Sequence, residues 1–524
     1  MCPLWRSFAH GMRIQTRSIV IMFSKALAQA STIALAIILV RIVDQEVFGT
    51  YRQLILVFTT VSSLLSLQLE ASLFYYVPKI SGLELRSLAV QTTLFGLFAS
   101  AVSALVIFFG AGLIAEQFSN PDLVTPLRVM ALYPLTEKIL ILAPTFMISV
   151  DRVIRASVYS LVASVGRVIA TVAAFATGAS LTNVVWAMVG ISALVTTTAI
   201  IDMIRLTPAA PIKFDKSLVR GQLSYCLPLF ATALVGVLNI QYDKLLIVNY
   251  FKDAALYGVY SNGAMELPVV VIVTSSVTSA IMPNLVSLVH AGKLREAIAI
   301  WQEAARKCSF VILTAFAFLL SMPGEFMVML YGIEYAEATW PFLVYLMILP
   351  IRVTLYASLL RAAGDTRSIA VIAAISMVLN VILSTVLIFA GGGGLFSFMA
   401  PSIGTFFAIM ATAALLLRRV CAKTGVPAGD IMRWGELSRM LLLALAASAI
   451  TQFVPTPSFP TMSLTFSLAA MFVIRGFVFA ILMLVISWIS GFLNPDEKRL
   501  ILAPITWISR RRAPASSAGE SSEI

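Results

Sequence analysis

Apolar residues in this chain come in long, nearly unbroken runs, separated by short clusters of charged and turn-forming residues. Most runs are about 18–28 residues long, the length that crosses a ~30 Å hydrocarbon layer as an α-helix. A membrane barrel would instead show alternating strands of ~10 residues. Fourteen runs are read, near 18–42, 53–76, 88–114, 126–150, 156–178, 182–204, 221–249, 256–289, 308–331, 339–360, 368–390, 394–417, 438–455 and 463–490. The pattern therefore predicts an all-α polytopic membrane protein. The first run is too long for a cleaved signal and lacks a small-residue cleavage site, so it reads as a first span.

The separators alternate in charge. One set is basic: Arg13 and Arg17, Lys79 and Arg86, Arg152 and Arg155, Arg205 to Arg220, Lys293 to Lys307, Arg361 and Arg367, and Arg418 to Arg439. The other set carries Asp44, Glu46, Glu116, Asp122, Glu325, Glu334 and Glu337 with few cations. Basic loops stay in the cytoplasm, which predicts that both termini and the long loops lie there. The chain also looks doubled. Phe48-Gly49-Thr50-Tyr51 follows the first run and Tyr257-Gly258-Val259-Tyr260 follows the seventh, while Asp151 and Lys138 have counterparts in Asp365 and Arg352. Such repeats are a common construction of transporters. The expected organisation is an amino-terminal segment 1–17, a six-helix lobe 18–204, a linker 205–220, a second lobe 221–417, a loop 418–437, a helix pair 438–490 and a disordered tail 491–524.

Composition agrees: 60% of the 524 residues are hydrophobic and 12% charged, with mean hydropathy +0.95, against ~25% charged in soluble proteins. The net charge of +12 forms no patch or stripe, which argues against nucleic acid. Cys2, Cys226, Cys308 and Cys421 are scattered without metal or redox spacing. The two histidines, His10 and His290, belong to no catalytic pattern, and no phosphate-binding loop or nucleophile elbow occurs. No cofactor, metal or enzymatic activity is expected.

Ionisable side chains inside spans cost at least ~2.5 kcal/mol and normally face water or a partner. They are Lys25, Glu137, Lys138, Arg167, Asp243, Lys244, Glu266, Arg352 and Arg475. Cations outnumber acids, which suits an anionic cargo. Lys25, Lys138, Arg167 and Arg352 are the expected cavity cations. Lys25, Gln29 and Thr32 share one face of the first helix, and Thr59, Ser62, Ser63, Ser66 and Glu70 form a polar stripe on the second. These stripes either line a cavity or pack helices together. Glu137 follows Pro134, where a kink is expected, and Arg167 is its natural partner, in a pair that either opens on binding or stays fixed. Glu137, Asp243 and Glu266 are candidate ion-coupling acids.

Several short stretches carry a resemblance to a known family. They are Leu39-Val40-Arg41-Ile42-Val43 before Phe48-Gly49-Thr50-Tyr51, Gln241-Tyr242-Asp243-Lys244-Leu245-Leu246-Ile247, Gly258-Val259-Tyr260, Pro283, and Gly364-Asp365-Thr366-Arg367 with Asn380. In order and spacing the chain, up to about residue 420, resembles the Wzx-type polysaccharide exporters of the multidrug/oligosaccharidyl-lipid/polysaccharide exporter superfamily. It departs at Gln68 and Glu70, where relatives often have a glycine-containing stretch, and at Tyr75, where many are basic. The resemblance implies two lobes, alternating access and an undecaprenyl-diphosphate-linked sugar repeat as cargo, flipped across a bacterial inner membrane for surface polysaccharide. A proton or sodium gradient or the membrane potential would drive it, and partners would be membrane lipids and other polysaccharide-assembly proteins. The alternatives are a cation-drug antiporter of the same superfamily, which buried cations disfavour, and a polysaccharide polymerase or ligase, which typically needs a larger outer loop.

Overall fold

The computed structural model describes residues 23–24, 26–80, 82, 84–455 and 464–492. Lys25, the segment 1–17 and the tail beyond 492 therefore lie outside the described residues. Among the described residues the regular structure is helical throughout. The first half contains α1 (Ala26–Leu39), α2 (Gln45–Leu64), α3 (Leu69–Tyr76), α4 (Glu84–Gln117), α5 (Val124–Met130), α6 (Tyr133–Ser149), α7 (Val153–Ala176) and α8 (Leu181–Arg205). The second half begins with α9 (Lys216–Phe251), α10 (Ala254–Gly263), α11 (Pro268–His290), α12 (Leu294–Leu320), α13 (Pro323–Tyr331) and α14 (Thr339–Leu346). It continues with α15 (Leu349–Arg352), α16 (Tyr356–Ala362), α17 (Thr366–Ala390), α18 (Leu395–Thr424), α19 (Trp434–Thr451) and α20 (Leu464–Ile489).

Eight of these helices are long and apolar enough to cross a bilayer, and four bent pairs raise the number to twelve. α1 and α19 fall on the first and thirteenth predicted runs, so the architecture is the expected multi-pass helical bundle. What the apolar pattern does not show is that five runs are broken. The bends are 46° between α2 and α3, 43° between α5 and α6, 86° between α12 and α13, and 42° ahead of α16. Residues 264–267 interrupt the eighth run between α10 and α11.

Four of the five breaks have a local cause. Pro268 and Pro323 open α11 and α13, and a proline biases the residue before it away from helical geometry. Leu67 and Gln68 (φ 52° and 50°), and Leu355 (φ 48°), take the left-handed conformation that ends a right-handed helix. Elsewhere side chains fix the helix starts. Asp215 accepts from the Ser217 amide at 2.8 Å and Asp253 from Leu256 at 2.9 Å, capping α9 and α10.

The packing divides the molecule into two ends, named here by their loop charges. Toward the acidic end one large apolar cluster joins both lobes through Phe48, Tyr257, Tyr260 and Phe342. Toward the basic end it gives way to two separate clusters, one around Leu73 and Phe146, the other around Trp301 and Tyr356. α2 lies directly on α10 at the acidic end. A Cβ on Gly49 would overlap the Ala254 carbonyl oxygen at 1.8 Å, and one on Gly258 would lie 3.2 Å from Gly49 Cα.

α9 belongs to both sides. Near the basic end Gln222, fully buried, donates to Ser72 Oγ (3.1 Å) and Thr92 Oγ1 (2.7 Å) in the first half of the chain. The connector ahead of it is held too, since Gln91 exchanges two hydrogen bonds with the Asp215 backbone, at 2.8 and 3.1 Å. Near the acidic end the same helix joins the second half, where Asn380 donates to Asn239 Oδ1 at 2.8 Å. α17 and α18 form a tight hairpin: a Cβ on Gly404 would meet Ser384 Oγ at 2.2 Å.

Candidate functional site

Broken spans carry Glu137, Lys138, Glu266 and Arg352, and the reason is physical. A break frees backbone carbonyls and opens space between helices, both of which compensate a charge held away from bulk water. Lys138, on α6 just past the α5–α6 bend, is nearly buried. It donates to the Ser66 carbonyl oxygen at 2.8 Å and to Glu70 Oε2 at 2.9 Å. Ser66 lies in the α2–α3 break and Glu70 in the first turn of α3. In the second lobe Arg352, ahead of the α15–α16 break, pairs with Glu266 in the α10–α11 break, Nε to Oε1 at 2.8 Å. A fourth-span cation is thus bound to a second-span acid in each lobe.

These pairs give two of the expected cavity cations, Lys138 and Arg352, an acidic partner. Glu70, expected only as polar lining, is the partner of Lys138, and Glu266, expected as a coupling acid, is the partner of Arg352. Glu137 and Arg167 do not form the anticipated ion pair within 4.0 Å. Arg167 lies instead over the Tyr133 ring at 5.9 Å, close enough for its charge to act on Glu137. Adjacent residues on a helix point about 100° apart, and Lys138 claims the position nearest Glu70.

The cations also line different cavities. A first-lobe cavity of about 230 Å³ is bounded by Ser62, Ser66, Glu70, Glu137 and Lys138, with Val237 of α9. Ser62 Oγ faces no hydrogen-bond partner among the described residues. A second-lobe cavity of about 420 Å³ lies between α11, the α15–α16 turn and α18, and includes Arg352. A small recess of about 80 Å³ holds Thr32, Arg52 and Arg167. Gln29 is exposed on α1. The structure therefore groups Glu70, Glu137, Lys138 and the second-helix serines, and sets Arg167 and Arg352 apart.

Asp243 lies elsewhere, on the acidic-end half of α9, 1% exposed. It accepts from Tyr345 Oη at 2.5 Å and Tyr260 Oη at 3.2 Å, and Lys244 Nζ sits 3.6 Å away. Tyr260 also meets Ser402 Oγ at 3.1 Å. Beside this cluster Asn380 Oδ1 accepts from Ser384 (2.9 Å) and Thr405 (3.2 Å). Among the described residues no three His, Cys, Asp or Glu side chains converge as metal ligands.

Sequence reasoning missed Arg52. Its guanidinium donates to Ser261 Oγ at 2.8 Å and to the Ser261 carbonyl at 3.1 Å, tying α2 to α10 across the lobes. The signal was present, because these two residues stand 209 apart, the same offset as the two glycine-tyrosine motifs. Arg41, which reaches the Met329 carbonyl at 3.2 Å, and Gln45, which reaches Glu334 at 2.9 Å, close the same end.

The sequence profile of the polysaccharide biosynthesis protein family matches residues 38–339, more than half of the chain. No curated protein sequence matches significantly. Among solved structures, the fold is similar to the lipid II flippase MurJ in an inward closed conformation. That structure is 13% identical, over 94% of this chain and 99% of that one, with a TM-score of 0.67. An inward-facing multidrug resistance MATE family transporter of the MOP superfamily is 11% identical, over 75% of this chain and 95% of its own, with a TM-score of 0.60. An outward-facing structure of such a transporter gives 11% identity, 79% and 96% coverage, and 0.51. At these identities the likeness is one of fold.

Proposed function

We propose, on the premise that the chain belongs to the polysaccharide biosynthesis protein family, that it is a flippase for undecaprenyl-diphosphate-linked oligosaccharide repeat units. It carries them from the cytoplasmic to the outer leaflet of the bacterial inner membrane for O-antigen, capsule or exopolysaccharide assembly. The observation that carries this reading is the pair of lobes joined at the acidic end and divided at the basic end, each with a cavity lined by a mid-span cation. With the basic end cytoplasmic, the cavities load from the cytoplasm while the α2–α10 contact seals the outer side.

In this reading Lys138, Arg167 and Arg352 attract the diphosphate, with Lys25 as a further cation, and the serines beside Glu70 bound the sugar path. The prenyl tail stays in lipid. Membrane potential favours moving an anion outward, and a proton or sodium gradient acts through Asp243, Glu137 or Glu266. The partners are the lipid-linked cargo, membrane lipids and other polysaccharide-assembly proteins.

The pairing of both fourth-span cations with acids favours a second reading, a cation-drug antiporter, because the cavities are closer to neutral than the residue count suggests. Deletion of the chromosomal copy separates the two. A flippase deletion accumulates lipid-linked repeats on the cytoplasmic face and loses surface polysaccharide. Wild-type polysaccharide with raised sensitivity to cationic drugs refutes the flippase reading.

A further inference from the structure

The second-lobe cavity holds two arginines, and only one is occupied. Arg352 is gripped by Glu266 through two contacts, Nε to Oε1 at 2.8 Å and Nη2 to Oε2 at 3.3 Å. Arg361 lines the same cavity, is exposed, and its side chain forms no hydrogen bond or ion pair among the described residues. A guanidinium fork accepts a carboxylate or a phosphate in the same planar, two-point geometry. Glu266 therefore sits where a phosphate would. It belongs to the non-helical residues 264–267, so it can withdraw without unwinding a helical turn, and both members of the pair are more than a third exposed.

Among apolar side chains the wall also carries hydroxyl groups. Thr274, Ser275 and Thr412 donate to their own helices, at 2.8, 3.2 and 2.7 Å. Their hydroxyl protons are committed and their lone pairs remain free to accept. Acceptors of this kind suit the hydroxyl donors of a sugar, while the arginines supply donors for an anion. The volume of about 420 Å³ falls in the ~300–1,000 Å³ range of small-molecule sites.

We propose that this cavity docks the phosphate-linked sugar head of the cargo, and that Glu266 occupies the Arg352 fork until the cargo phosphate displaces it. The inference rests on the flippase reading and deepens it by assigning the loading site to the second lobe, with Arg361 as the cation nearer the basic end. Glu266 is then a built-in competitor, which sets how strongly an anion must bind to load.

The test uses the full-length protein in lipid nanodiscs, with undecaprenyl diphosphate as the titrated probe and inorganic pyrophosphate as competitor. Removing the competitor in Glu266→Gln is expected to tighten binding roughly tenfold. Arg352→Gln and Arg361→Gln are each expected to weaken it by about the same factor, and Arg352→Lys, which lacks the fork, to weaken it less. The double variant Arg352→Gln/Glu266→Gln leaves no unpaired charge and controls for folding. It is expected to melt near wild type and still bind poorly. Unchanged or weaker binding in Glu266→Gln, with the melting temperature retained, overturns the competition and makes Glu266 a structural tie. Binding lost in Lys138→Gln yet unchanged in Arg352→Gln and Arg361→Gln overturns the second-lobe site and leaves the flippase reading intact. No binding by any variant, wild type included, refutes the flippase reading itself.

Discussion

Gly49 and Gly258 occupy equivalent places in the two halves of the chain and cross one another at the acidic end. A Cβ on Gly258 would stand 3.2 Å from Gly49 Cα, and one on Gly49 would overlap the Ala254 carbonyl. Gly49→Ala is expected to force α2 from α10 and to cost about 1–3 kcal/mol, as overpacking does. Three residues on, the pair Arg52→Cys/Ser261→Cys should cross-link with a short bifunctional reagent, since the native side chains meet at 2.8 Å. If this contact is the outer seal, the cross-linked protein should stop flipping and recover when a cleavable linker is reduced. Undiminished flipping by fully cross-linked protein excludes opening at this contact.

Lys138 and Glu70 form a largely buried ion pair between separate spans of the first lobe, with side chains 7% and 26% exposed. Lys138→Met strands the carboxylate and should cost about 2–4 kcal/mol, whereas Lys138→Met/Glu70→Leu should recover most of the loss. Thermal unfolding in detergent measures both. Equal destabilisation by the single and double variants excludes coupling between the two charges.

Asp243 is buried and accepts from two tyrosine hydroxyls. Asp243→Asn retains an acceptor oxygen for Tyr345 or Tyr260, so the fold should survive with a loss of about 1–2 kcal/mol. Flipping into vesicles with an imposed proton or sodium gradient should fall at least tenfold, about 1.4 kcal/mol of driving interaction. Gradient-driven transport at the wild-type rate removes Asp243 from the coupling path.

At the basic end Asp365 accepts from Arg419 Nε at 2.6 Å, linking the start of α17 to α18. That bond, followed by one from Ser368, holds the Asp365 carboxyl down to about 2. Its folded value is below the unfolded value of ~3.9, so the link stabilises the fold above that value and fades as pH falls toward 2. The melting-temperature difference between wild type and Asp365→Asn should thus be constant from pH 7 to 5 and shrink below pH 4. A difference that grows on acidification contradicts this assignment.

How far the fold was legible follows from these residues. Long apolar runs and alternating loop charge reveal spans because bilayer thickness and charge are properties of segments. The breaks are tertiary. Leu67 and Gln68 carry no glycine or proline signal. The pairing of Lys138 with Glu70 spans 68 residues and that of Arg352 with Glu266 spans 86. Periodicity within a helix cannot supply such distances, so counting cations against acids overstated the free positive charge. Arg52 was overlooked because it lies at the edge of its run, where a cation reads as a loop residue.

The arrangement of the two ion pairs bears on how the chain is made. Glu70 precedes Lys138 and Glu266 precedes Arg352, and each pair closes within its own half. During synthesis the acid in the second span waits for a cation only two spans behind it. The first half can neutralise its pair before the second has left the ribosome, and the second pair then needs nothing from the first, so a nascent first half need not expose the Lys138 ammonium to lipid while the second is translated.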